Sequence, residues 1–283
     1  MAKTDFDVSK MPHNRVQVFF DVLKNRFSLL LGTGFAALLF ALPLIVLAVL
    51  RNIKVAEAEL IEDVAERAAT VFAYVNTFNL TLIAAWAIFA LGVAGAFQIV
   101  RRLVWQQGVL FRHDFFKGIR ENGVHFAVLF AVAGLLNYLL QRTARGLYFN
   151  DGAWAQAALV AATVAAFLYL PTLPFALTQS TVYNLKMFAK WKNSFLLAMR
   201  TAYVSFPVAI LNLAPIALTY LPGTAVFVAS VLLGPVLFTP LLALFDTLFC
   251  DGVLDKYVNK KNFPEIVGKG IWKNAEDNDA KTE

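Results

Sequence analysis

The chain has 283 residues, of which 59% are hydrophobic and only 16% charged, with a net charge of +6. A soluble domain carries nearer a quarter charged residues, so this composition excludes an ordinary soluble globule and points to a bilayer. The one cysteine, Cys250, excludes an intramolecular disulfide and a multi-cysteine metal site.

In chain order, the first feature is a short amphipathic stretch. Val16, Phe19, Phe20 and Leu23 recur at i, i+3, i+4, i+7, with Gln17, Asp21, Lys24 and Asn25 opposite. Residues 27–50 follow as an apolar run of 24, longer than the ~7–15 of a secretory signal core and without a clear small-residue cleavage site, so a retained span is expected. The connection 51–77 carries five acids and reads as an acidic helix continuing a span beyond the bilayer. Further apolar runs occupy 78–100, 124–140, 153–178, 201–221 and 223–249, each near the ~20 residues a crossing requires. The tail 251–283 is mixed, and from about residue 274 it has almost nothing to bury and is expected to be disordered.

Six spans place alternate connections on opposite sides. One side then holds 20 Lys and Arg and the other 5. This asymmetry predicts that both termini are cytoplasmic and that 51–77 lies outside. Because the basic residues sit beside span ends, the excess is accounted for without nucleic acid.

Between the second and third spans lies "DFFKGIREN", residues 114–122. Phe111, Phe115 and Ile119 recur at i, i+4, i+8 with Phe116 beside them, while His113, Asp114, Lys117 and Glu121 take the other side. The pattern predicts a cytoplasmic amphipathic helix at headgroup level, Arg120 included, with Phe111, Phe115, Phe116 and Ile119 buried and Lys117 and Glu121 wet; a plain loop and a buried gate are the alternatives. A third version precedes the fifth span, where Lys186, Lys190 and Asn193 share a face beside Met187, Phe188 and Trp191. The expected fold is therefore an all-α polytopic membrane protein of six transmembrane helices, arranged as three helical hairpins each preceded by a cytoplasmic amphipathic helix.

"LPLIVLAV" in the first span, "GAFQIVRRLV" closing the second, "FFKGIRENGVHFAVLF" and "LYLPTLPFALTQSTVYNLKMFAKWKNSFLLAM" resemble the YesL-like family of bacterial integral membrane proteins over about residues 15–250. The most specific piece is F-F-x-G-x-x-E-N at 115–122. The resemblance implies a polytopic helical protein of the bacterial cytoplasmic membrane without established catalysis, associated with carbohydrate uptake systems. It supplies no active-site residues. The family joins its first two spans tightly, whereas here 51–77 intervenes.

Nucleophile elbows, phosphate-cradling loops, paired zinc ligands and two-carboxylate constellations are missing, and no cofactor is indicated. His13, His113 and His125 share no ligand spacing. Asp246 is the only acid embedded in an apolar run and so a candidate functional intramembrane group, although it lies where it can reach water or pair with Arg101, Arg102 or Lys256. Asn137 and Asn212 suggest interhelical hydrogen bonds. Two prolines in each of the last three spans favour kinks. The expectation is a non-enzymatic accessory or scaffold in contact with the bilayer and a membrane-protein partner such as an uptake-transporter subunit. The alternative is a small transporter or channel using the kinked last spans.

Overall fold

The computed structural model describes residues 11–272 apart from 148, 150, 151, 220, 222 and 223. The stretch beyond residue 274 lies outside the described residues. Helix α1 (Arg15–Asn25) is followed by α2 (Phe27–Glu59), α3 (Val64–Val104), α4 (Phe111–Gly146), α5 (Ala153–Val182), α6 (Met187–Arg200), α7 (Ala202–Asn212), α8 (Ala214–Leu218) and α9 (Ala225–Asn262). No strand occurs among the described residues.

Five helices, α2 to α5 and α9, are long and apolar enough to cross a membrane. A sixth crossing exists if α6 and the α7–α8 stretch, which bend by 110° at Thr201, count as one broken span. The chain is thus an all-α polytopic membrane protein. The segment 201–221, read from sequence as a simple fifth span, is broken after Asn212. Pro207 and Pro215 each remove a backbone donor on either side of that break.

The acidic connection is a helical hairpin rather than a single helix. Residues 51–59 prolong α2, a tight turn follows, and Asp63 caps α3 by accepting from the Glu66 N–H at 2.7 Å. With 33 and 41 residues, α2 and α3 are ~50 and ~60 Å long, well beyond a ~30 Å hydrocarbon core. Both therefore project past the bilayer.

Helix α3 is the centre of the bundle, packed against α2, α4, α5 and α9. From Gly92 to Val100 every residue is buried. Its apolar character there reports protein contact as much as lipid. The α3–α4 approach is close because both helices offer glycine: a Cβ on Gly118 would lie 2.5 Å from Gln98 Cβ and 2.8 Å from the Ala94 carbonyl oxygen. Phe97 and Phe126 meet edge-to-face below it, with centroids 5.4 Å apart.

The chain after residue 250 is more structured than a tail. Helix α9 runs on to Asn262, through π-helical turns at Gly234–Phe238 and Asp255–Asn259. Arg15 of α1 pairs with Asp255 and Asp251, and Trp105 Nε1 donates to Asp251 at 3.0 Å. Gly270, at φ +82°, presses against the Val104 carbonyl where no Cβ fits. Trp272 N–H then donates to the Pro12 carbonyl at 2.8 Å. Both ends of the described chain are thereby fastened to the same end of the bundle, the end rich in Lys and Arg.

Candidate functional site

The DFFKGIREN segment is not a separate surface helix. It forms the opening turns of α4 and continues without a break into the third span. Its glycine, Gly118, and Gly123 just after it are packing positions against Gln98 and Leu91 rather than helix breaks. Apart from Phe116, the exposed residues of α4 are charged or polar through Glu121, and from Val124 to Leu139 they are apolar except Asn137. The 11 residues from Phe111 to Glu121 rise ~16 Å along the axis, more than the few ångströms of a headgroup layer. The segment stands along the span instead of lying across the interface.

Its faces also differ from the sequence reading. Asp114, Phe115, Gly118 and Asn122 are buried, Phe111 and Ile119 are half-buried, and Phe116 is 57% exposed. Phe115 fills the space opposite Gly95, stacked on Phe111. Phe116 belongs to the outer face, at i+4 from Arg112. Asp114, which charge alone assigns to the wet side, is only 1% exposed. The reason is Arg102 of α3, whose guanidinium reaches the Asp114 carboxylate at 2.6 Å and also donates to the Gly108 carbonyl at 2.9 Å. The second carboxylate oxygen accepts from the Leu110 N–H at 2.8 Å. One ion pair thus closes the α3–α4 turn and fixes how the outer face is presented.

That outer face is a shallow, wide-open groove of about 540 Å³ formed by Arg112, His113, Phe116, Lys117 and Arg120 of this one helix. Positions i, i+1, i+4, i+5, i+8 place them along one side of the helix. Of the two acids on these turns, Asp114 is turned inward to Arg102, and Glu121 lies 3.9 Å from Lys117 in an exposed i, i+4 pair. Arg112 and Arg120 have no ion pair among the described residues. The result is a cationic groove around an exposed aromatic ring.

Asp246 is 2% exposed, on α9 inside the bundle. Its partner is none of the expected cations: Asn212 Nδ2 donates to Oδ1 at 2.8 Å. Arg101 donates instead to the Thr181 carbonyl at 2.7 Å, Arg102 serves Asp114, and Lys256 lies over the Tyr257 ring. Asn212 closes α7 at the break, so the carboxyl is held against the interruption of the fifth span. The bundle carries further buried polar groups. Gln179 Nε2 donates to Ser194 Oγ at 2.9 Å, while Gln98 Nε2 and Thr247 Oγ1 are buried without a partner among the described residues.

Sequence reasoning misses Lys190. Local pattern puts it on a polar face with Lys186, yet it is 4% exposed and its Nζ lies 3.2 Å from His125 Nδ1. Phe188, grouped by the same pattern with the apolar residues beside that face, points outward. The signal lies in the spacing of Lys190, Ser194, Leu197 and Ala198, which share the buried face of α6. Among the described residues no three His, Cys, Asp or Glu side chains gather as a metal site.

No family model, curated protein or solved structure matches the chain.

Proposed function

We propose that this chain is a non-enzymatic multi-pass protein of the bacterial cytoplasmic membrane, with its basic end in the cytoplasm, acting as an accessory or scaffold that docks an acidic segment of a membrane-protein partner. The observation that carries this is the groove on α4: two arginines, a lysine and a histidine surround exposed Phe116, Asp114 is turned inward to Arg102, and of the groove's cations Lys117 alone faces Glu121, at 3.9 Å. Arg and aromatic residues are what protein interfaces concentrate at their energetic centres. The height of these turns along α4 favours a protein partner over headgroups, and the 20-to-5 charge asymmetry supports the orientation. The YesL-like resemblance suggests a subunit of a solute-uptake system as that partner. Charge reversal at Arg112, Lys117 and Arg120 together tests the reading. The partner retained by the wild-type protein from native membrane should be lost at equal protein level; equal retention refutes the groove as its dock.

A second reading, a small transporter, is favoured by one observation. Asp246 is a buried acid with no cation beside it among the described residues, at the break between α7 and α8. Solute flux by the pure protein in liposomes that disappears in Asp246→Asn would establish it.

A further inference from the structure

Charges buried in a protein interior are paired or hydrogen-bonded, because an isolated ion is costly to remove from water. Asp114 has Arg102, and Asp251 has Arg15 at 3.7 Å. Lys190 is the one fully buried Lys or Arg among the described residues, and no carboxylate pairs with it there. Its one partner is His125 Nδ1 at 3.2 Å. An ammonium has no lone pair, so the imidazole nitrogen accepts, and the other ammonium hydrogens remain to be satisfied.

A second donor lies beside it. Trp191 lines the same space, and its indole N–H is buried without an acceptor among the described residues. Its ring is held 5.7 Å from that of Tyr169, whose hydroxyl donates to the Leu129 carbonyl. Met187, the first residue of 14-residue α6, also lines the space, and no side chain caps that helix start. A buried cation, an unpaired N–H and an uncapped helix start all favour one kind of occupant, an anion.

The surroundings say which. His125 follows Val124, the first strongly exposed apolar residue of α4 after the charged turns, which places the cluster at the edge of the hydrocarbon on the basic side. Helix α6 turns 110° from α7 and exposes Phe188, Phe195 and Leu196 on its outer face. If α7 follows the membrane normal, α6 lies nearly in the membrane plane, at the depth of phosphates and first methylenes. We propose that Lys190 and Trp191 bind a phosphate oxyanion, supplied by the headgroup of an anionic phospholipid whose chains lie along Phe188 and Leu196. The side chains around the site close on one another and leave no space that admits a water molecule. The oxyanion therefore enters as Lys190 releases His125, and the two partners of the ammonium alternate. This site is separate from the α4 groove and does not depend on it.

The test uses the full chain in nanodiscs of phosphatidylcholine with or without phosphatidylglycerol, reading retained lipid by native mass spectrometry and thermal stability in parallel. Wild type should retain phosphatidylglycerol selectively and melt higher with it. Lys190→Met, similar in length but uncharged, should lower that retention on the order of tenfold, the scale of one charge-assisted hydrogen bond. Lys192→Met, an exposed position two residues on, should retain lipid as wild type does. Should Lys190→Met fail to fold, Trp191→Phe keeps an aromatic ring, loses the N–H, and should reduce retention several-fold. Inorganic phosphate added to pure phosphatidylcholine discs separates the sources. Stabilisation that Lys190→Met abolishes, without phosphatidylglycerol retention, keeps the oxyanion site but transfers it to free phosphate. Retention unchanged in both Lys190→Met and Trp191→Phe, with no response to phosphate, overturns the proposal.

Discussion

Arg102 on α3 and Asp114 on α4 are joined at 2.6 Å, twelve residues apart in sequence and on opposite sides of the turn between those helices at the basic end of the bundle. Removing one partner of a buried pair strands the other, at a cost of ~3–5 kcal/mol. Arg102→Ala, which strands the buried carboxylate, should lower the melting temperature in detergent strongly, and Asp114→Ala, which leaves a quarter-exposed guanidinium still bonded to the Gly108 carbonyl, should lower it less. The double change Arg102→Met with Asp114→Leu should recover much of the loss, since neither charge is then left unpaired. Single variants within ~0.5 kcal/mol of wild type would mean the pair does not hold the turn.

The glycine contact between α3 and α4 gives a second expectation. At Gly118 a methyl group meets Gln98 and the Ala94 carbonyl well inside contact distance, so Gly118→Ala should destabilise by ~1–3 kcal/mol, the scale of overpacking. A methyl group at Gly146 would meet nothing within 4 Å, and Gly146→Ala should be neutral or slightly stabilising in the same melt. Equal effects at the two sites would contradict the close approach.

Much of this fold is legible in the sequence, and the exceptions have physical causes. Apolar runs of spanning length mark α2 to α5 and α9 because lipid and bundle core demand the same residues. That shared demand also hides which face of a helix meets protein. Phe115 and Phe116 are adjacent and alike, yet only Phe115 has a glycine opposite it. Asp114 and Lys190 are buried because of residues on other helices, Arg102 and His125, which no local period reports. The pairing of Asp246 with Asn212 is likewise out of reach, although each stands out alone as polar within an apolar run.

That pairing leads to a third expectation. Asp246→Asn retains an acceptor for Asn212 and should change stability by less than ~0.5 kcal/mol, whereas Asn212→Leu strands a buried carboxyl and should cost ~1–3 kcal/mol. Chemical-denaturation or thermal curves of the two purified variants check the order. The reverse order would mean that Asp246 is held by something other than Asn212.

Topology supplies a fourth. Reporter fusions after Ile61, in the turn joining α2 to α3, and at the C-terminus should report external and cytoplasmic locations respectively, as the charge asymmetry requires. Identical locations for the two would remove the orientation on which the proposed cytoplasmic placement of the groove depends.

The most direct test of the scaffold reading is site-specific photocrosslinking from position 116 in native membrane. A photoreactive residue replacing Phe116 sits at the centre of the cationic groove; one replacing Phe167, exposed on the side of α5, serves as the lipid-facing comparison. The account predicts one discrete protein adduct from position 116, in stoichiometric yield with a protein that also co-purifies, lost when Arg112 and Arg120 are reversed to Glu, and lipid adducts alone from position 167. Lipid adducts alone from both positions, together with solute flux by the pure protein in liposomes, would contradict it.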